Sequence, residues 1–112
     1  MYSALVIDHD VEHAERLLTC LRERHIEATV CRSVQDALCL LRRYLGYDLL
    51  IVNISDQRKA WLRIISILQE ASFMRAESRV TALLCLSKGT PDPRFAITLE
   101  HLGARIVYER SH

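Results

Sequence analysis

The chain has 112 residues, half of them apolar and 26% charged, which is the composition of one ordinary globular domain. Fifteen basic and 14 acidic residues give a formal net charge of +1, so no basic excess points to a nucleic-acid partner. No stretch approaches the roughly 20 apolar residues of a transmembrane helix. The first apolar run is also too short, and too soon followed by charges, for a signal peptide. We therefore expect a cytoplasmic protein without membrane contact.

The first half of the chain alternates short apolar runs with helical patterns. Residues 3–7 predict a first strand, and Asp10 can cap the helix that follows it. The apolar positions of this helix are Ala14, Leu17, Leu18 and Leu21. Residues 27–31 predict a short second strand near a sheet edge. Ser33 opens a capping-box pattern for the second helix, and Gly46 is expected to end that helix as its C-cap.

The second half repeats the alternation. Residues 48–53 contain a continuous apolar run, as a third strand covered on both faces requires, and residues 79–86 and 106–108 predict two further strands. The third and fourth helices take their apolar stripes from Trp61, Ile64, Ile65 and Leu68, and from Phe95, Leu99 and Leu102. Pro91 is expected at the first position of the fourth helix, and Gly103 after its last turn.

This order of elements predicts βαβ units and a parallel sheet with helices on both faces. Five strands and four helices predict one α/β domain over residues 1–112, a flavodoxin-like doubly wound sheet in the order 2-1-3-4-5. The sequence offers no fifth helix after the last strand. We therefore expect apolar side chains such as Val6 and Val107 to lack cover on one face, and the chain to self-associate, most simply as a homodimer.

The four cysteines contain no Cys-x-x-Cys pair, so neither zinc nor dithiol redox spacing is present. All four lie within apolar helix or strand patterns, and we expect buried free thiols in a reducing compartment.

Polar residues follow three of the predicted strands. Asp8, His9 and Asp10 follow the first, Asn53 ends the third, and Ser87 follows the fourth. Because the carboxyl ends of parallel strands meet at one edge of the sheet, these side chains should share a crevice there.

The residues of this crevice bear on three kinds of chemistry: metal binding, hydrolysis and nucleotide binding. His9 and His13 beside two aspartates leave a transition-metal site open. A hydrolytic triad of Asp8, His9 and Ser87 lacks the nucleophile elbow of known hydrolases. The absence of a glycine-rich loop after the first strand disfavours nucleotide binding.

In their order and spacing, four segments resemble the receiver domain of bacterial response regulators, the phosphorylated module of two-component signalling and phosphorelays. They run from Leu5 to Asp10, from Asp48 to Asn53, from Leu83 to Ser87 and from Gly103 to Arg110. The resemblance covers essentially the whole chain. It implies that Asp8, His9, Asn53, Ser87 and Arg110 stand at the family's phosphorylation pocket, with Glu109 an open alternative to Arg110 at the family's lysine.

The departures from the family pattern decide the prediction. In the family, two acidic residues and the acceptor aspartate hold Mg²⁺. Here His9 replaces one acid, and a neutral imidazole is a poor Mg²⁺ ligand. Asn53 replaces the acceptor, and an amide oxygen cannot form the acyl phosphate. We therefore predict a pseudo-receiver that is not phosphorylated at this position, holds no metal or other cofactor and has no catalytic activity. Asp48 is expected close to Asp8.

The resemblance also implies a partner. We expect a protein partner or the output domain of a two-component pathway, within a larger regulator, and no direct nucleic-acid binding by this domain. The implied interaction surface is the fourth helix and fifth strand, including Pro91, Phe95, Leu99 and Tyr108. Two alternatives stay open: a ligand- or metal-sensing domain that uses the altered pocket, and a receiver phosphorylated at a non-standard residue, Asp56.

Overall fold

The computed structural model describes residues 2–44, 46–55, 63, 65, 66, 69 and 82–109. In that part of the chain, five strands form one parallel sheet in the order β2-β1-β3-β4-β5. The strands are β1 (Tyr2–Ile7), β2 (Ile26–Cys31), β3 (Leu49–Asn53), β4 (Ala82–Ser87) and β5 (Ala104–Tyr108). The helices that lie wholly within the described residues are α1 (Val11–Glu23), α2 (Val34–Arg43) and α3 (Pro93–His101). The last of these is the fourth helix of the sequence prediction. The predicted doubly wound α/β fold and its strand order are confirmed.

The sheet has an apolar layer on each face. The larger layer joins Leu5, Leu50 and Leu83 of the central strands to α2 and α3. The smaller layer lies under α1, where Leu21 packs on the other face of β1 and β3. Four of the five residues of β3 are buried, so the continuous apolar run did identify a strand covered on both sides.

The amino-terminal ends of α1 and α2 follow the predicted capping residues, and that of α3 does not. Asp10 accepts the N–H of His13, and Ser33 accepts that of Asp36 at 3.2 Å. Pro91 does not begin α3: that helix begins at Pro93 and is capped by Asp92. The prediction missed that a second proline two residues later fits the first helical position with an aspartate before it.

The two predicted C-cap glycines differ. Gly103 has a φ of 88°, as expected where a chain leaves a helix through the left-handed region. The prediction for Gly46 was wrong, because α2 ends at Arg43 with an extended cap at Tyr44. A side chain at position 46 would collide with the Tyr44 ring, so Gly46 makes room for that ring.

The third predicted helix falls mostly outside the described residues, including Trp61, Ile64 and Leu68. Arg63, Ile65, Ser66 and Gln69 are helical, and Ile65 packs against the larger core layer. No helix within the described ranges combines the length and apolar composition needed to cross a bilayer.

Two expectations about exposure need correction. Val6 is fully buried, because Leu17 and Leu21 of α1 cover that part of β1, whereas Val107 is 38% exposed. The cysteines divide in the same way: Cys31 and Cys85 are buried, and the other two, Cys20 and Cys39, are exposed on helices. Their positions beside the apolar stripes, rather than within them, explain the error.

Candidate functional site

The carboxyl ends of β1, β3 and β5 bring their polar residues together. Asp8 directly follows β1, Asn53 ends β3 and Glu109 directly follows β5. Asp8 is 1% exposed and Asn53 4%, so both lie inside the protein. A buried carboxylate is costly unless it is paired and hydrogen-bonded, so the partners of Asp8 define this pocket.

His13 is the central partner. It lies in the first turn of α1, is 4% exposed and turns its ring back over the end of β1. Nδ1 makes a short hydrogen bond to Oδ2 of Asp8. Nε2 lies 2.8 Å and 2.9 Å from the two carboxylate oxygens of Glu109. The ring therefore bridges two carboxylates that come from opposite ends of the sequence.

Asn53 supplies the second side-chain contact to Asp8. Its Nδ2 donates to Oδ1 of Asp8 at 2.9 Å, and its Oδ1 accepts the N–H of Ser55 at 3.0 Å. This orientation of the amide follows from its partners, because a backbone N–H can only donate and an ionised carboxylate can only accept. An aspartate at position 53 would present acceptors on both sides and would repel Asp8.

The titration of His13 reflects these contacts. Burial by itself would lower its pKa, but the hydrogen bonds and charges of Asp8 and Glu109 outweigh burial and raise the pKa above its ordinary value of 6.5. Asp10 shifts the other way. Its pKa is lowered chiefly because it accepts the backbone N–H of His13, with a smaller contribution from Lys88.

The structure separates the residues that the sequence placed in one pocket. Asp8 and Asn53 are in direct contact. His9 is exposed, since the backbone leaves the sheet after the N–H of Asp8 bonds to the carbonyl of Cys31. Ser87 is buried, but its hydroxyl donates to the carbonyl of Gly89.

Arg110 and Asp48 were also predicted at or near this pocket. Arg110 lies outside the described residues, and Glu109 is the residue after β5 that reaches the pocket. Asp48 does not lie near Asp8. It stands at the amino end of β3, where its Oδ2 accepts the N–H of Ser3 at 2.8 Å. Five residues of extended chain separate it from the pocket edge, which the prediction overlooked.

The magnesium ion of the resembled family does not fit these residues. Mg²⁺ needs open oxygen ligands in near-octahedral geometry. Oδ2 of Asp8 is bonded to His13, and Oδ1 accepts both Asn53 and the N–H of Asp10 at 3.0 Å. Within the described ranges, no group of three His, Cys, Asp or Glu side chains is arranged to hold a metal ion. Both ring nitrogens of His13 face carboxylates, so neither is available for a metal ion shared with His9.

The implied interaction surface also needs correction. Phe95 and Leu99 are 3% and 0% exposed, so both belong to the core and neither lies on the surface. The exposed apolar residues of this region are Ile97 on α3, at 57%, and Tyr108 and Val107 on β5, at 59% and 38%. An open groove of about 410 Å³ follows the edge strand beside them, lined by Glu100, Gly103, Ala104, Arg105, Ile106 and Tyr108. Pro91 is half-buried.

No family model matches the sequence, and no curated protein matches it. Solved structures do match. Chemotaxis protein CheY4 of Vibrio cholerae has a TM-score of 0.75 at 15% identity, over 100% of this chain and 89% of that one. The receiver domain of Francisella response regulator 1452 has a TM-score of 0.69 at 23% identity, over 97% and 84%. HP1043, an orphan response regulator of H. pylori, has a TM-score of 0.73 at 19% identity, over 96% and 80%. The chain therefore has the fold of response-regulator receiver domains.

Proposed function

We propose that this domain is a receiver-like signalling module that works without a phosphoryl acceptor at Asn53 and without catalysis of its own. The observation that carries the proposal is the contact between Asn53 and Asp8. The amide that stands at the acceptor position donates a hydrogen bond to the carboxylate that the family uses for metal. An amide has no nucleophilic oxygen for phosphoryl transfer, and its hydrogen bonds hold the pocket in one arrangement.

The acceptor claim is tested by intact mass. The protein is incubated with acetyl phosphate and Mg²⁺, and we expect no gain of a phosphoryl group. A stoichiometric gain would contradict the proposal. The same incubation of Asp56→Asn would then decide whether the non-standard acceptor, Asp56, had taken the phosphate.

A module without chemistry must act through contacts with another protein. The surface formed by Ile97, Tyr108 and the groove along β5 supports this role, and we refer to it as the α3–β5 surface. Among the described strands, β5 lies at the edge of the sheet. On its outer side, no described strand pairs with its backbone, which leaves that side to a partner. Ile97 and Tyr108 are both more than half exposed, and they add apolar area that a partner could bury. The partner is an output domain, another pathway protein or a second copy of the chain, in the cytoplasm.

Sedimentation tests the homodimer form of this proposal. We expect the wild type to associate at micromolar concentration, and Ile97→Lys with Tyr108→Ser to shift it towards monomer. Tyr2→Ser is the matched control, because Tyr2 is 63% exposed but lies at the amino end of β1, outside the α3–β5 surface. A wild type that remains monomeric would leave only a different protein as the partner.

A further inference from the structure

We propose that the ring of His13 is the resident cation of this pocket, which takes the place of a divalent metal on Asp8 and clamps the start of α1 to the end of β5. The proposal goes beyond the signalling role above, because it concerns what neutralises the pocket and what holds its edges together.

The geometry requires a charged ring. Both ring nitrogens face carboxylate oxygens, Nδ1 that of Asp8 and Nε2 those of Glu109. A neutral imidazole has one N–H, so its other nitrogen would direct a lone pair at a carboxylate. Only the protonated ring donates on both sides.

The charges around the ring show why a cation is needed there. Asp8 faces the ring from the end of β1 and Glu109 from the end of β5. Asp10 adds a third carboxylate at the cap of α1, where it accepts the backbone N–H of His13. In the described part of the chain, Lys88 after β4 also lies nearby, but its Nζ is 3.9 Å from Asp10 and pairs with that carboxylate. Within the described residues, His13 is the group that brings positive charge onto Asp8. In the resembled family, a metal ion would supply that charge.

The clamp joins elements that are far apart in sequence. His13 and Glu109 are separated by 96 positions. Each end is fixed independently: the N–H of Glu109 donates to the carbonyl of Ser87 at 2.7 Å, and the N–H of His13 donates to Asp10 at 3.2 Å. The ring therefore connects the first turn of α1 to the strand that borders the α3–β5 surface.

Imidazole NMR provides the direct test on the whole chain. Two-bond ¹H–¹⁵N spectra distinguish a ring protonated on both nitrogens from either neutral tautomer. At about pH 7, where an ordinary histidine is mostly neutral, we expect His13 to be doubly protonated. A neutral His13 at that pH would overturn the proposal. Glu109→Gln should shift the His13 titration to lower pH, and an unchanged titration would overturn the clamp.

Manganese, a paramagnetic substitute for Mg²⁺ on oxygen ligands, tests the exclusion of metal. We expect millimolar Mn²⁺ to leave the backbone amides of residues 8–10 and 53–55 unbroadened in the wild type and in the control His101→Ala. In His13→Ala, the freed carboxylate should bind the ion and those amides should broaden. Broadening in the wild type, or a folded His13→Ala that stays unbroadened, would refute the replacement of metal by the ring. Both results are independent of the intact-mass test, which measures phosphorylation of the protein.

Discussion

Replacing His13 with alanine should destabilise the protein more than its small size suggests. The substitution leaves Asp8, which is 1% exposed, without its cationic partner. Removing one member of a buried ion pair typically costs about 3–5 kcal/mol, because the other charge stays buried. Asn53 and the N–H of Asp10 still donate to Asp8, and water can enter the space that the ring leaves. We therefore expect a loss of about 2–4 kcal/mol at mildly acidic pH.

The loss should depend on pH in one direction. The folded-state pKa of His13 is raised above its ordinary value of 6.5. A raised pKa contributes stability that is fully present below the unfolded pKa and is lost as pH rises through the folded pKa. The difference between wild type and His13→Ala should therefore be largest near pH 6 and shrink steadily above about pH 6.5.

Urea denaturation at a series of pH values from about 6 to 9 measures both effects. His101→Ala is the control, since His101 is exposed at the end of α3 and its removal should change the free energy of unfolding by less than about 0.5 kcal/mol. If His13→Ala unfolds in buffer, Glu109→Gln gives a milder test: its side chain is 31% exposed, and we expect a loss of about 1 kcal/mol. A His13→Ala protein as stable as His101→Ala at every pH would refute the reasoning.

Three other measurements test the fold around the pocket. Iodoacetamide should modify two thiols of the native protein, those of the exposed Cys20 and Cys39. Burial protects Cys31 and Cys85 and raises the pKa of Cys85 to about 12, so rapid modification of a third thiol would contradict this prediction. His25→Gly should raise the free energy of unfolding by up to about 1 kcal/mol. His25 follows α1 with a φ of 59°, a conformation that is unfavourable for a residue with a Cβ. A destabilised variant would show that the contacts of the imidazole outweigh this backbone strain. Asp48→Ala should lower the free energy of unfolding by about 1–3 kcal/mol, because the N–H of Ser3 loses its acceptor. The NMR signals of the His13 ring should not change, and altered signals would mean that Asp48 does act on the pocket.

The sequence predicted the fold because its signals are local. The apolar run of β3 and the capping residues Asp10 and Ser33 each act within a few positions of themselves, and alternation then specifies a parallel sheet. The same locality explains the mistaken interaction surface. Phe95 and Leu99 are four residues apart and mark the stripe that packs inward. The exposed Ile97, between them on the opposite side of α3, is the residue that reaches the surface.

The pocket was predictable only in part, for a physical reason. Strand ends specify where Asp8 and Asn53 lie, since a strand end fixes the position of a side chain on the sheet edge. The role of His13 depends on how a helix residue folds back over that edge, and on a carboxylate 96 positions away. The sequence pointed to His13 only as a possible metal ligand, because it lies four residues after His9 and beside two aspartates. Which group it would meet is settled by tertiary packing, not by spacing.

A pocket that lacks its phosphoryl acceptor can still respond to its surroundings. A buried carboxylate such as Asp8 keeps its charge only where something neutralises it. A metal ion can leave, and its departure changes the pocket, whereas a ring attached to α1 cannot leave and responds to protons instead. Asn53 contributes to the same end, because an amide beside Asp8 adds a donor where a carboxylate would add repulsion. Asn53 and His13 thus act together: Asn53 removes the negative charge that the family's aspartate would bring, and His13 supplies a positive charge that remains with the chain. This coupling predicts that Asn53→Asp is tolerated better when His13 is protonated, so its cost in unfolding free energy should grow as pH rises through the raised pKa of His13. A cost that is constant from about pH 6 to 9 in the same urea series would show that positions 13 and 53 act independently.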